Sequence, residues 1–194
     1  MEIDAILWDY DGTLVNSARK NIEITKDILK EVAPRLTGNN LPDPLKSEKA
    51  YHLANHESCN WQDLYLNYYG MTDKEMMQAG KLWTEFQLKN EIPVQFFDGI
   101  EQTVHKINLP QGICSQKSSE NISKLLIQNN IHNKFTAIIG YDDIPQRAQK
   151  PDPYGGIQCL KHIFDDLSNK SVLYIGDHEG DVQFARNIDK ALTG

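Results

Sequence analysis

The chain has 194 residues, 40% of them hydrophobic, enough for one core of ordinary size or a core domain plus a smaller insert. Its 20 basic and 27 acidic residues give a net charge of -7 with no long block of either sign, which argues against DNA or RNA as the main partner, since phosphate backbones demand a basic surface. No apolar run approaches the ~20 residues that span a bilayer, the N-terminus lacks the pattern of a signal peptide, and Cys59, Cys114 and Cys159 are widely spaced with no CxxC, so a cytoplasmic protein without a membrane partner is expected.

The first apolar run, IDAILWD (3–9), is near-continuous rather than alternating, as in a strand covered on both faces. From about residue 18 to about 95 the pattern is helical, with no convincing strand. NSARKNIEITKDILKEV puts Ile24, Ile28, Leu29 and Val32 on one side. The stretch 34–44, PRLTGNNLPDP, reads as a loop. LKSEKAYHLANH, WQDLYLNYYG and TDKEMMQAGKLWTEFQLKN follow as further helices. After Gly99, Ile100, Val104 and Ile107 share a helical face. Then GICS (112–115) predicts a second strand, and Ser118 or Ser119 caps a helix carrying Ile122, Leu125 and Leu126. TAIIGYD (136–142), a helix with Ile157, Leu160 and Phe164, and SVLYIGD (171–177) complete the alternation. Strand–helix–strand order implies parallel strands with right-handed crossovers. The expected division is a core of 1–17 and 96–194, interrupted by a helical insert of 18–95.

Ligands of open α/β sheets bind beyond the carboxyl ends of the strands. Those ends carry Asp9, with Asp11 two residues on; Ser115; and Asp177, with Asp181 four residues further. Lys150 precedes the last crossover helix in QKPDP. Four carboxylates on one edge repel unless a cation sits among them. Mg²⁺ typically joins one or two carboxylates to waters and a substrate phosphate. The Asp11–Gly12–Thr13 turn adds backbone N–H groups that can face a phosphate. A magnesium–phosphate site therefore reconciles the acids with an anionic substrate.

DYDGTLVNS (9–17), ICSQK (113–117), KPDP (150–153) and GDHEGD (176–181) are similar, in order and spacing, to the four motifs of the haloacid dehalogenase-like superfamily of phosphohydrolases. The resemblance covers most of the chain. It implies an α/β fold with a Rossmann-like parallel-sheet core, the insert matching that family's all-helical cap. Within that superfamily the motifs look like those of the phosphoglycolate phosphatase and β-phosphoglucomutase relatives. By resemblance, Asp9 is the nucleophile that forms an aspartyl-phosphate, and Asp11 is the acid and then the base. The same resemblance gives Mg²⁺ the Asp9 carboxylate, the Asp11 carbonyl and Asp177, with Asp181 ordering the shell. Ser115 and Lys150, with Gly12, Thr13 and Gln116, would bind the transferring phosphoryl. The implied activity is Mg²⁺-dependent hydrolysis of a small phosphorylated metabolite. A phosphomutase of the β-phosphoglucomutase type and a catalytically impaired binding or regulatory protein are the alternatives.

Gln116 replaces a common Asn, His178 a common Thr or Ser, and Asn16 a frequent Asp. The chain ends at ALTG, where many relatives continue through another strand and helix. His52, His56 and Cys59 have helical spacing but no evident fourth ligand for zinc. The aromatics of WQDLYLNYYG read as core of the insert, and Asp181 also suits a helix N-terminus.

Overall fold

The computed structural model describes residues 2–193. In chain order the regular elements are β1 Ala5–Trp8, β2 Val15–Asn16, α1 Ala18–Val32, α2 Glu48–Glu57, α3 Trp61–Asp63, α4 Asp73–Lys89, β3 Gln95–Phe96 and α5 Ile100–Lys106. They continue with β4 Gln111–Cys114, α6 Ser119–Gln128, β5 Ala137–Ile139, α7 Tyr154–Ile163, β6 Val172–Ile175 and α8 Glu179–Thr193. The chain forms two compact units. One takes the residues up to Asn16 and from Phe96 onward; the other is Ser17–Gln95.

The first unit is built on a parallel sheet of order β5-β4-β1-β6. β1 lies inside, pairing Ile6 with Gln111 on one side and with Leu173 on the other. All four of its side chains are buried, which is why its sequence is apolar without alternation. Because every strand runs the same way, the residues after β1, β4 and β6 emerge on one edge: Asp9, Ser115 and Asp177. α7 and α8 cover one face, where Leu7, Cys114 and Ala137 meet Leu160, Phe184 and Ile188. β6 forms the sheet border, and its Leu173 remains 40% exposed.

Two local features depart from the pattern of the sequence. β4 starts at Gln111, a polar residue that reads as a boundary yet is only 1% exposed. Its amide is satisfied on both sides: Trp8 Nε1 donates to Oε1 (3.0 Å), and Nε2 donates to the Val104 carbonyl (3.1 Å). At α6, Ser118 is the N-cap residue but makes no side-chain cap bond. Asp142 does that work from beyond β5. Its Oδ1 accepts the Ser119 N–H (2.9 Å) and its Oδ2 the Ser118 hydroxyl (2.8 Å).

The second unit is helical. α1 buries Ile22, Ile24, Thr25, Ile28 and Leu29 along one face. α4 opens with a capping box: the Glu75 N–H donates to Thr72 Oγ1 (3.4 Å) and the Thr72 N–H to Glu75 Oε2 (2.7 Å). Arg35 grips the same carboxylate through two nitrogens and adds the Gly70 carbonyl. The stretch expected as a loop at 34–44 is coiled into 3₁₀ turns at Pro34–Leu36, Gly38–Asn40 and Asp43–Leu45. WQDLYLNYYG forms α3 and then a π-helical turn at Leu64–Tyr68, where the Tyr69 N–H donates to the Leu64 carbonyl five residues back (3.0 Å). Its tyrosines belong to the core of this unit, with the rings of Tyr65 and Tyr69 5.2 Å apart, but Trp61, expected in the core, is 46% exposed on the short α3. β2 and β3, too short to show any periodicity, form a separate two-stranded sheet. Among the described residues, no helix is long and apolar enough to cross a membrane.

Candidate active site

The site starts with the turn after β1. The Asp9 N–H donates to the Ile175 carbonyl (2.8 Å), which ties the nucleophile candidate to the end of β6. The Leu14 and Val15 N–H groups both reach the Tyr10 carbonyl, and the Gly12 N–H donates to the Val15 carbonyl (2.9 Å). Gly12 thus gives its own N–H to the turn rather than to a ligand. Its contribution is space. It has φ +84°, and a Cβ there would lie 2.2 Å from Asp177 Oδ2. Gly176 makes room in the same way, since a Cβ on it would lie 2.4 Å from the Asp181 carboxylate.

Asp9, Asp177 and Asp181 each place a carboxylate oxygen within 4.8 Å of the others. Thr13 Oγ1 donates to Asp177 Oδ1 at 3.4 Å. Lys150 Nζ enters the cluster from the α7 side, donating to Asp9 Oδ1 (2.6 Å), Asp181 Oδ1 (2.9 Å) and the Tyr174 hydroxyl. An ammonium has three protons, so each has an acceptor within the protein. Asp181 serves twice: Oδ1 holds Lys150, while Oδ2 accepts the His178 N–H (3.1 Å) at the start of α8.

Ser115, 5% exposed, follows β4; its N–H donates to the Ile139 carbonyl (3.0 Å) and its Oγ accepts the Lys117 N–H (3.3 Å). Gln116 gives its side-chain amide to the Lys150 carbonyl (3.2 Å), joining the second and third motif loops. Lys117 Nζ lies 3.7 Å from Asp11 Oδ2 with its side chain only 12% exposed. The other oxygen of Asp11, Oδ1, is buried and has no hydrogen-bond partner among the described residues.

Two site residues escaped the sequence reading. Lys117 stands two residues after Ser115 in ICSQKSS and could have been found as a cation on the same loop. Tyr174 is the one polar-tipped residue of the strand VLYI, and its size let it pass for core. His52, His56 and Cys59 do not assemble into a metal-ligand group among the described residues.

Burial pushes the Asp9 carboxyl up to about 7; Lys150 pulls the other way, while Asp181 and Asp11 add to the rise. Burial alone would lower the Lys150 ammonium, but Asp9 and Asp181 together raise it above its ordinary value, so it stays charged at neutral pH. Burial, then Asp9 and Asp181, raise the Tyr174 phenol and keep it protonated. A carboxyl held this high marks a site whose charge is incompletely balanced by the protein alone. The donors are hard oxygens, and one Asp11 oxygen is orphaned. That set fits a divalent cation such as Mg²⁺ rather than a soft metal.

A model of the family described as haloacid dehalogenase-like hydrolase matches residues 6–192. A phosphoglycolate phosphatase of Pseudomonas savastanoi pv. phaseolicola is 25% identical over 196 residues, covering 93% of this chain and 65% of that protein. A phosphoglycolate phosphatase of Photorhabdus laumondii subsp. laumondii is 26% identical over 193 residues, covering 95% and 76%. The chain thus spans about two thirds to three quarters of the length of these relatives, and 65% of the Pseudomonas protein. Among solved structures, a haloacid dehalogenase-like family hydrolase from Streptococcus pneumoniae superposes with a TM-score of 0.73 at 21% identity, over 96% of this chain and 81% of that one. The family match runs from within β1, the strand that delivers Asp9, to the last turn of α8, and the chain belongs to the haloacid dehalogenase-like hydrolases.

Proposed function

We propose that the protein is a Mg²⁺-dependent phosphatase acting on small phosphorylated metabolites through an aspartyl-phosphate on Asp9, in the manner of a phosphoglycolate phosphatase. The observation that carries this reading is the gathering of Asp9, Asp177 and Asp181 at the carboxyl edge of a parallel sheet, with Lys150 bonded to Asp9 and Asp181 and Asp11 near enough to raise the Asp9 carboxyl. Two relatives bearing the name phosphoglycolate phosphatase support the same substrate class.

In the proposed reaction an Asp9 oxygen attacks phosphorus as the ester P–O bond breaks. The departing oxygen takes a proton from Asp11. A water then attacks the phosphoryl group, Asp11 accepts its proton, and inorganic phosphate leaves Asp9 free. Ser115 would donate a hydrogen bond from its hydroxyl to a phosphoryl oxygen, and Lys117, 3.7 Å from Asp11 Oδ2, would place a positive charge beside the acid–base residue. Asp9, Asp177 and the Asp11 carbonyl would hold Mg²⁺, with Asp181 ordering that shell. Bound there, Mg²⁺ supplies positive charge to the transferring phosphoryl oxygens. Lys150 keeps Asp9 oriented through its 2.6 Å bond.

The test is turnover of p-nitrophenyl phosphate and of a panel of small phosphate esters, phosphoglycolate included. Mg²⁺-dependent release of phosphate is expected, abolished by chelation, and lowered by about 10³-fold or more in Asp9→Asn. Retained turnover in that variant would remove Asp9 as the nucleophile. Mg²⁺ should also raise the melting temperature of the wild type more than that of Asp9→Asn.

A further inference from the structure

Tyr174 stands on β6, three residues before Asp177, and has no place in the reaction as written above. Its ring is packed edge-on against Phe184, with centroids 5.3 Å apart. The hydroxyl oxygen accepts a hydrogen bond from Lys150 Nζ. Its own proton faces the Cys114 carbonyl (3.2 Å), at the last residue of β4, and Asp181 Oδ1 (3.3 Å). The Lys150 nitrogen also lies 5.0 Å from the Tyr174 ring centroid and 5.1 Å from that of Phe184. A lysine ammonium on a four-carbon stem is otherwise a rotating point charge. Here three acceptors in three directions stop that rotation.

We propose that Tyr174 is a positioning residue that acts through Lys150: its hydroxyl oxygen accepts the third N–H bond of the ammonium and so holds the other two on Asp9 and Asp181. The inference rests on the phosphatase reading only for its catalytic consequence. Without the hydroxyl, Lys150 keeps its charge, but one of its N–H bonds has no acceptor and the ammonium is free to swing off Asp9. The attacking oxygen then loses its fixed orientation, which lowers the rate of transfer more than the binding of substrate.

Lys117 supplies an internal control. Its side chain is 12% exposed and that of Lys150 10%, yet the ion pair at 3.7 Å is the only partner recorded for the Lys117 ammonium among the described residues. Burial alone would protect the two equally, whereas the clamp protects Lys150 alone.

The experiment measures, on the purified full chain, turnover of p-nitrophenyl phosphate with Mg²⁺ and reductive methylation of individual lysines read by mass spectrometry. Tyr174→Phe keeps the ring and removes the hydroxyl. It should lower kcat by about 10-fold or more with KM changed less than about 3-fold. In a Lys150→Met background the same substitution should add less than about 2-fold, because the group it acts through is gone. Tyr174→Phe should also raise the methylation rate of Lys150 several-fold relative to exposed Lys30. An unchanged kcat, or an equal loss in both backgrounds, overturns the proposal. If the wild type hydrolyses no ester, the phosphatase reading fails, and methylation still decides the positioning role. If Tyr174→Phe does not fold, the wild type alone decides: Lys150 should be methylated several-fold more slowly than Lys117, and equal rates overturn the clamp.

Discussion

The two units of the chain treat charge in opposite ways. Most ion pairs of the helical unit are local and wet: Glu23–Lys26, Asp27–Lys30, Asp43–Lys46 and Glu85–Lys89 sit three or four residues apart, while Arg35–Glu75 joins residues 40 apart but leaves the Arg35 side chain 50% exposed. In the sheet unit the pairs that matter are distant in sequence and nearly dry. Lys150 reaches Asp9 across 141 residues with side chains 10% and 12% exposed. Local pairs on a helix surface add a few tenths of a kcal/mol and can be lost without consequence. Buried charges incur desolvation and persist only where other groups hold them in place. The difference teaches where each unit keeps its stability: the helical one in apolar packing, the sheet one in packing that also has to carry an imperfectly neutralised acidic cluster.

That contrast can be broken by substitution, and the largest stability effect should come from the helical core. Ile28 is fully buried on α1. Ile28→Ala should cost about 3 kcal/mol, from lost burial and the cavity left behind. Urea melts would measure it, and a loss below about 1 kcal/mol would mean that packing is not what holds this unit.

The next effect has the opposite sign. The Asp9 carboxyl is raised from 3.8 to about 7 in the folded chain, so folding favours its protonated form. That contribution is complete below 3.8 and disappears as pH rises through about 7. Without divalent ions, Asp9→Asn should therefore be more stable than the wild type at pH 8, on the order of 2 kcal/mol, with the gap closing as pH falls below 3.8. Loss of the Lys150 partner trims the gain. A variant less stable than the wild type at pH 8 would show that the ion pair outweighs the burial of the charge.

The smallest effect sharpens the comparison from the other side. Lys30 pairs with Asp27 at 2.7 Å, with side chains 68% and 44% exposed. Lys30→Ala should change stability by less than about 0.5 kcal/mol at any pH between 5 and 8. A larger loss would place the helical unit under the same electrostatic constraint as the sheet unit.

Much of the architecture was legible in the chain because it is written in short-range patterns. The apolar runs around Ala5–Trp8, Ile113 and Ile138 lack alternation, which is what a strand covered on both faces requires, whereas the equally apolar Val172–Ile175 forms the border and leaves Leu173 40% exposed. Helical spacing separated them, and parallel order followed from the alternation. Parallel order then brought Asp9, Ser115 and Asp177 to one edge by topology alone.

What remained for the tertiary structure was every contact whose partners are far apart in sequence and have ordinary neighbours. Gln111 looks like the edge of a strand until Trp8 and Val104 satisfy its amide. Ser118 looks like a cap, but Asp142 supplies the bonds from 24 residues away. Gly12 looks like a phosphate-facing donor, and the fold instead uses its missing side chain to admit Asp177. Lys150 was visible beside Pro151; that three acceptors from β1, β6 and α8 would meet on its nitrogen was not. The sequence by itself determined which residues stand at the strand ends, since hydrophobic period and chain order depend on near neighbours. Only the tertiary structure decided which atoms share protons there, because burial and hydrogen-bond direction depend on groups that the chain brings together by folding.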